Sequence, residues 1–183
     1  VEEHEDVRYA VEGFLFPDTY EINGEFDAAR IMEMMAANFD RRLTKDMRDR
    51  AKEMNLSIYE LVTLASLVEK EAYHEEDRPI IAQIFLKRLR IGMPLQADPT
   101  VQYLLNEPKE DLLYKDTEID SPYNTYQNVG LPPGPIASPG SESLNAVLHP
   151  ADTDYLYFVA DRNGNNYYAT NYADHLDLVE RVR

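Results

Sequence analysis

Residues 57 to 72, SIYELVTLASLVEKEA, set the terms for the rest of the chain. Ser57 followed three positions later by Glu60 has the pattern of a capping box, so a helix should begin here. From Leu61 to Val68 no charged residue occurs, and charge returns only at Glu69, Lys70 and Glu71. A helix apolar around most of its circumference cannot lie on a surface. The other elements must be wrapped around it.

The neighbouring segments read as wrappers. Between Asp27 and about Met54, the apolar residues Ile31, Met34, Met35, Phe39, Leu43, Met47 and Ala51 recur at three- and four-residue steps, which predicts one long amphipathic helix with a solvated outer face. RPIIAQIFLKRLRIG carries Pro79 in its first turn and Gly92 at its end, the usual asymmetry of a helix start and stop. DPTVQYLL predicts a short fourth helix with Asp98 as its cap and Pro99 at the first position. SESLNAVLHP predicts a brief helix closed by Pro150, and a last helix should start at Tyr172. VEGFLFPDTYEI, residues 11 to 22, reads as short extended segments turned at Pro17-Asp18. YLYFVADRNGNNYYAT holds two aromatic, β-rich runs joined through Asn163-Gly164, a hairpin signal. The expected class is α+β, a mainly helical core with a small antiparallel sheet.

Several chemistries are excluded. The net charge of −16, with no basic tract, repels a nucleic-acid backbone, so no nucleic acid is expected as a partner. Without cysteine there is neither a disulfide nor thiol chemistry. The four histidines, at 4, 74, 149 and 175, lack the spacing of zinc ligands, and no metal is expected. Phosphate-cradling, dinucleotide and serine-nucleophile motifs are missing, so no cofactor is expected either. No apolar run approaches the ~20 residues that span a bilayer.

What remains is carboxylate chemistry. On the wheel of the central helix Lys70 points away from the apolar face, while Glu69 and Glu71 fall on its opposite shoulders. A carboxyl at such an edge loses hydration, its pKa rises, and it becomes a general acid near neutral pH. Periodicity does not choose between the two glutamates, and a solvated last turn would look the same. Gln96 has no capping role and could bond a sugar hydroxyl or amide; Asp98 reads first as a cap. Tyr123, Asn124 and Tyr126 combine flat apolar faces with an oriented amide, which suits carbohydrate but also suits core tyrosines beside an asparagine turn. They open the stretch SPYNTYQNVGLPPGPIASPG, residues 121 to 140, whose five prolines and three glycines read as a linker or as a rigid wall.

Five phrases decide the matter together. EGFLFPDTY, LASLVEKEA, RPIIAQIFLKRLRIGMPLQADPTVQY, SPYNTYQNVGLPPGPIASPGSESLNAVLHP and YLYFVADRNGNNYYATNYADH resemble, in order and spacing, the MltG (YceG-like) endolytic murein transglycosylases, from about Val11 to His175. The resemblance implies a bacterial cell-wall enzyme held at the extracytoplasmic face of the membrane by an N-terminal transmembrane helix absent from this chain, with a LysM-like subdomain before the catalytic domain. Residues 1–22 are then expected to be a remnant of that junction, and residues 23–183 the catalytic domain. The implied partners are peptidoglycan glycan strands and the penicillin-binding proteins of wall synthesis. The implied catalytic group is the second glutamate of the E-K-E motif, Glu71, with Glu69 as runner-up; Gln96, Asp98, Tyr123, Asn124 and Tyr126 carry over as substrate-binding residues. One departure is Asp77, six positions after Glu71, where relatives often carry glutamate.

The implied reaction cleaves the β-1,4 bond between N-acetylmuramic acid and N-acetylglucosamine without water and leaves 1,6-anhydro ends, with one carboxyl acting as acid and then as base. Residues 121 to 140 would line the cleft opposite Glu71, stiffened by their prolines. The rival readings are a hydrolase using Glu71 as acid with Asp98 or Asp77 as base, and a wall-binding module without catalysis.

Overall fold

The computed structural model describes residues 6–109 and 111–182. Residues 1–5, which include His4 and the start of the expected junction remnant, lie outside the described residues. Among the described residues seven α-helices and one hairpin follow in the order α1 (Ala28–Arg42), α2 (Lys45–Glu53), α3 (Ile58–Glu71), α4 (Arg78–Arg90), α5 (Asp98–Gln102), α6 (Ser141–Leu148), β1 (Tyr157–Ala160), β2 (Asn166–Ala169) and α7 (Tyr172–Val182). The class is α+β, as the sequence predicts. Among the described residues no helix is long and apolar enough to cross a membrane.

The central helix is α3. Its Ser57–Glu60 capping box closes in both directions, the Glu60 backbone N–H donating to the Ser57 hydroxyl and the Ser57 N–H to the Glu60 carboxylate. Every residue from Leu61 to Val68 is buried, and α4, α5 and α6 pack against them. Leu61, Leu64, Leu67, Ile81, Phe85, Leu144 and Leu148 are sealed from water, each such burial contributing about 1.5–3 kcal/mol. The polar residues inside α3 are internally satisfied: the Thr63 hydroxyl donates to Tyr59 O, and that of Ser66 donates to Thr63 O while accepting from the Ile136 N–H.

The expected long helix from Asp27 to Met54 is two helices. The chain leaves α1 at Leu43 (φ −79°, ψ 83°) and restarts at Thr44, whose hydroxyl accepts from the Met47 N–H as a new N-cap. Leu43 stays 2% exposed through the bend, so the apolar stripe continues across it. The extended reading of residues 11 to 22 yields no regular strand. That segment is held by its aromatic rings instead, Phe14 meeting Phe39 and Tyr59 at 5.2 and 5.8 Å. Gly13, at φ +86°, lies so close to the far loop that a Cβ would meet Pro135 at 2.5 Å and Val62 at 2.7 Å.

β1 and β2 pair antiparallel, with Tyr157 opposite Ala169 and Phe158 opposite Tyr168. The turn carries Gly164 at φ +82°, and the Asp161 carboxylate accepts from the backbone N–H groups of Asn163 and Asn165. Phe158 packs edge-on to Phe85 of α4 at 6.2 Å. Asp77, 8% exposed, accepts from the Tyr168 hydroxyl at 2.5 Å and from the Asn166 amide at 2.9 Å. The hairpin is thus bolted to the base of α4, and α7 closes over it.

Candidate active site

The two glutamates at the end of α3 part company. Glu69 accepts from the Gly140 N–H at 3.2 Å and the Ser143 hydroxyl at 2.6 Å, with Arg78 at 3.9 Å. A carboxylate there satisfies otherwise orphaned donors at the start of α6 and complements its dipole. Glu71, the last residue of α3, is half-buried and faces the opposite way, toward Asp98 and Arg88. Its carboxyl is pushed up to about 8, first by burial and second by the Asp98 charge; Arg88 and a hydrogen bond from the Asp98 backbone N–H oppose the rise. At neutral pH it is therefore mostly a protonated acid, about one pH unit below its midpoint.

A stitched pair of loops brings the partners to it. The Thr125 hydroxyl accepts from the Ala97 N–H at 3.0 Å and meets the Thr100 hydroxyl at 2.9 Å, while the Gln96 N–H donates to Thr125 O at 3.1 Å. Thr100 and Thr125 are buried, so these bonds are shielded from competing water. The stitching lays Tyr126 over α5, where its hydroxyl donates to the Asp98 carboxylate. Asp98 is therefore not the cap expected of it: Ala97 holds the N-cap position without a side-chain bond, and Asp98 is the first helical residue with its side chain turned to Tyr126. Burial and that bond push the Tyr126 phenol well above its ordinary range, so it remains a donor.

The other expected site residues take supporting places. Asn124 is fully buried; its amide donates to Thr117 O and Ile119 O, and its carbonyl accepts from the Tyr126 N–H. It aims Tyr126 and, fully buried, presents no surface of its own. Tyr123 is 4% exposed, sits in the core beside Tyr103 at 5.1 Å, and accepts from the Arg8 N–H. Both match the turn-and-core alternative, because a sharp turn between two buried threonine-linked segments needs internal anchors. Gln96 is exposed, with a left-handed backbone at φ +49°. Of residues 121 to 140, Tyr126 reaches the site; the later part runs along α3, where Ile136 bonds Ser66 and Gly140 bonds Glu69.

Sequence reasoning misses Arg88. Its Nε donates to Leu156 O at 2.9 Å and its Nη1 to Leu95 O at 2.6 Å, and its guanidinium lies 5.4 Å from the Tyr157 ring. It is 6% exposed and its proton affinity is lowered by burial, against the fields of Tyr157, Glu71 and Tyr126. The signal was in the sequence: Ile81, Ile84, Phe85 and Arg88 share one helical face, and a cation on a buried stripe has a task. Among the described residues no group of three metal-ligating side chains could hold a cation. The site is one neutral acid, one anion and one cation, framed by a phenol.

Comparison with known proteins places the chain in a family. A family model described as the YceG-like family matches residues 1–181. An endolytic murein transglycosylase of Bacillus subtilis (strain 168) is 42% identical over 178 residues, covering 97% of this chain and 49% of its own length. One from Streptococcus pneumoniae serotype 2 is 41% identical over 174 residues, covering 92% of this chain and 31% of that protein. The crystal structure of a yceG-like protein from Listeria monocytogenes superposes with a TM-score of 0.90 at 41% identity, over 96% of this chain and 57% of the other. The chain thus spans half or less of the curated relatives it matches. By sequence along nearly its whole length and by fold, it belongs to the YceG-like family.

Proposed function

We propose that this chain is the catalytic part of an endolytic murein transglycosylase, acting on peptidoglycan outside the cytoplasm, and that Glu71 is its acid and then its base. The carrying observation is the placement of the half-buried Glu71 carboxyl toward Asp98, whose carboxylate Tyr126 holds, so that burial and the Asp98 charge push the glutamate up to about 8. The names of the relatives support the substrate.

In this reading the Glu71 proton passes to the glycosidic oxygen between N-acetylmuramic acid and N-acetylglucosamine, and the C1–O bond breaks as positive charge grows on the muramyl ring. The Asp98 carboxylate, fixed by Tyr126, lies where it can stabilise that charge. Glu71, now a carboxylate beside Arg88, takes the proton of the muramyl 6-hydroxyl, whose oxygen closes on C1. The proton count balances with a single carboxyl, and the products are a free 4-hydroxyl and a 1,6-anhydro end.

Asp98 also supports a second reading, hydrolysis with Asp98 activating a water. Asp77 does not serve that reading, since both of its oxygens are taken by the hairpin. Digestion of purified peptidoglycan followed by mass spectrometry tests both readings. Anhydro-muramyl ends from the parent and none from Glu71→Gln are expected; reducing ends in their place would establish the hydrolase, and undiminished cutting by Glu71→Gln would remove Glu71 from its role.

A further inference from the structure

We propose that Tyr157, Tyr172 and His175 form an aromatic platform that binds a sugar of the glycan strand next to the Glu71 site; this rests on the reading that the chain acts on glycan. The platform is built from two elements. Tyr172 and His175 stand three residues apart at the start of α7 and so share a face, and both meet Tyr157 of β1. The His175 ring stacks on Tyr157 at 5.3 Å and 23°, while Tyr172 lies 5.8 Å from Tyr157 and 6.2 Å from His175. Tyr172 remains 60% exposed, so folding leaves a large ring in water at the edge of an ordered aromatic cluster. Flat apolar faces presented in this way match the C–H face of a pyranose.

Arg88 ties the platform to the acid. Its guanidinium lies 5.4 Å from the Tyr157 ring and its Nε bonds the carbonyl of Leu156, the residue before it. The same cation acts electrostatically on both Glu71 and His175. Arg88 therefore lies against the platform and within electrostatic reach of the acid, and on this proposal a strand whose scissile bond reaches Glu71 sets a neighbouring sugar against the rings. His175 suits this position: burial, and then Arg88, hold its proton affinity below the ordinary value, so near neutral pH the ring is an uncharged plate.

The test measures binding of glycan strands stripped of stem peptides to the full chain carrying Glu71→Gln, with and without changes at Tyr172. Tyr172→Ala should weaken binding about three- to tenfold, Tyr172→Phe should bind like the Glu71→Gln protein, and Tyr114→Ala, a change at a tyrosine 84% exposed elsewhere, should have no effect. Unaltered binding by Tyr172→Ala overturns the platform, as does an equal loss in the alanine and phenylalanine variants, which would make the hydroxyl the contact and not the ring. Cutting by the parent separates the two levels. If the parent cuts strands and Tyr172→Ala binds them normally, the platform alone falls. If the parent neither binds nor cuts, the glycan reading falls and takes the platform with it.

Discussion

At the residue scale the central fact is a glutamate kept neutral by its surroundings. Burial raises Glu71 from its ordinary 4.5 to about 8, so the folded protein holds this proton more tightly than the unfolded chain does. Stability is therefore fully present below about pH 4.5, declines as the unfolded chain alone ionises, and levels off above about pH 8. Glutamine has the same shape without the ionisation. Glu71→Gln should accordingly raise stability by about 3 kcal/mol at pH 7 and by almost nothing at pH 4, as read from denaturant melts at both values. Under the proposed function this proton is the one transferred to substrate, and kcat/KM should then fall on an alkaline limb near pH 8. Because the Asp98 charge helps to raise Glu71, Asp98→Asn should move that limb to lower pH, and a limb that stays put would assign it to another group.

At the scale of elements, α3 shows what a sequence can and cannot disclose. Its start was legible because a capping box is a local chemical pattern, and its burial was legible because eight residues without charge have nowhere else to go. The break between α1 and α2 was not, since Phe39, Leu43, Met47 and Ala51 keep their four-residue spacing across it. Thr44 alone betrays the restart. Asp98 was legible as a helix-start residue but not as a partner for Tyr126, because a contact 28 positions apart leaves no trace in local pattern. Likewise nothing local distinguishes Asn124, consumed by its own loop, from an asparagine offered to a ligand. The two glutamates of α3 also needed the tertiary structure to be told apart. Since Glu69 holds the start of α6 through Gly140 and the buried Ser143, Glu69→Ala should cost about 2 kcal/mol in chemical denaturation. It should leave the alkaline limb of the pH profile where it was.

At the scale of the whole molecule, a charge of −16 covers a fold whose ion pairs are mostly exposed. Such pairs return little, and the uncompensated carboxylates repel one another. Raising NaCl from ~0.02 to ~0.5 M should therefore raise Tm, because shortening the Debye length screens the repulsion more than it weakens the few favourable pairs. A flat or falling Tm would mean that the pairs matter more than their exposure suggests. The packing of α4, α5 and α6 and the approach of Gly13 to Val62 and Pro135 all converge on α3, which carries Glu69 and Glu71 on its last turn. Removing one residue from the middle of α3 would swing that turn by roughly 100°, pulling the latch of α6 and Glu71 off their marks together. Drift can therefore repaint the charged helix faces of this domain far more easily than it can alter the number of links in its axle.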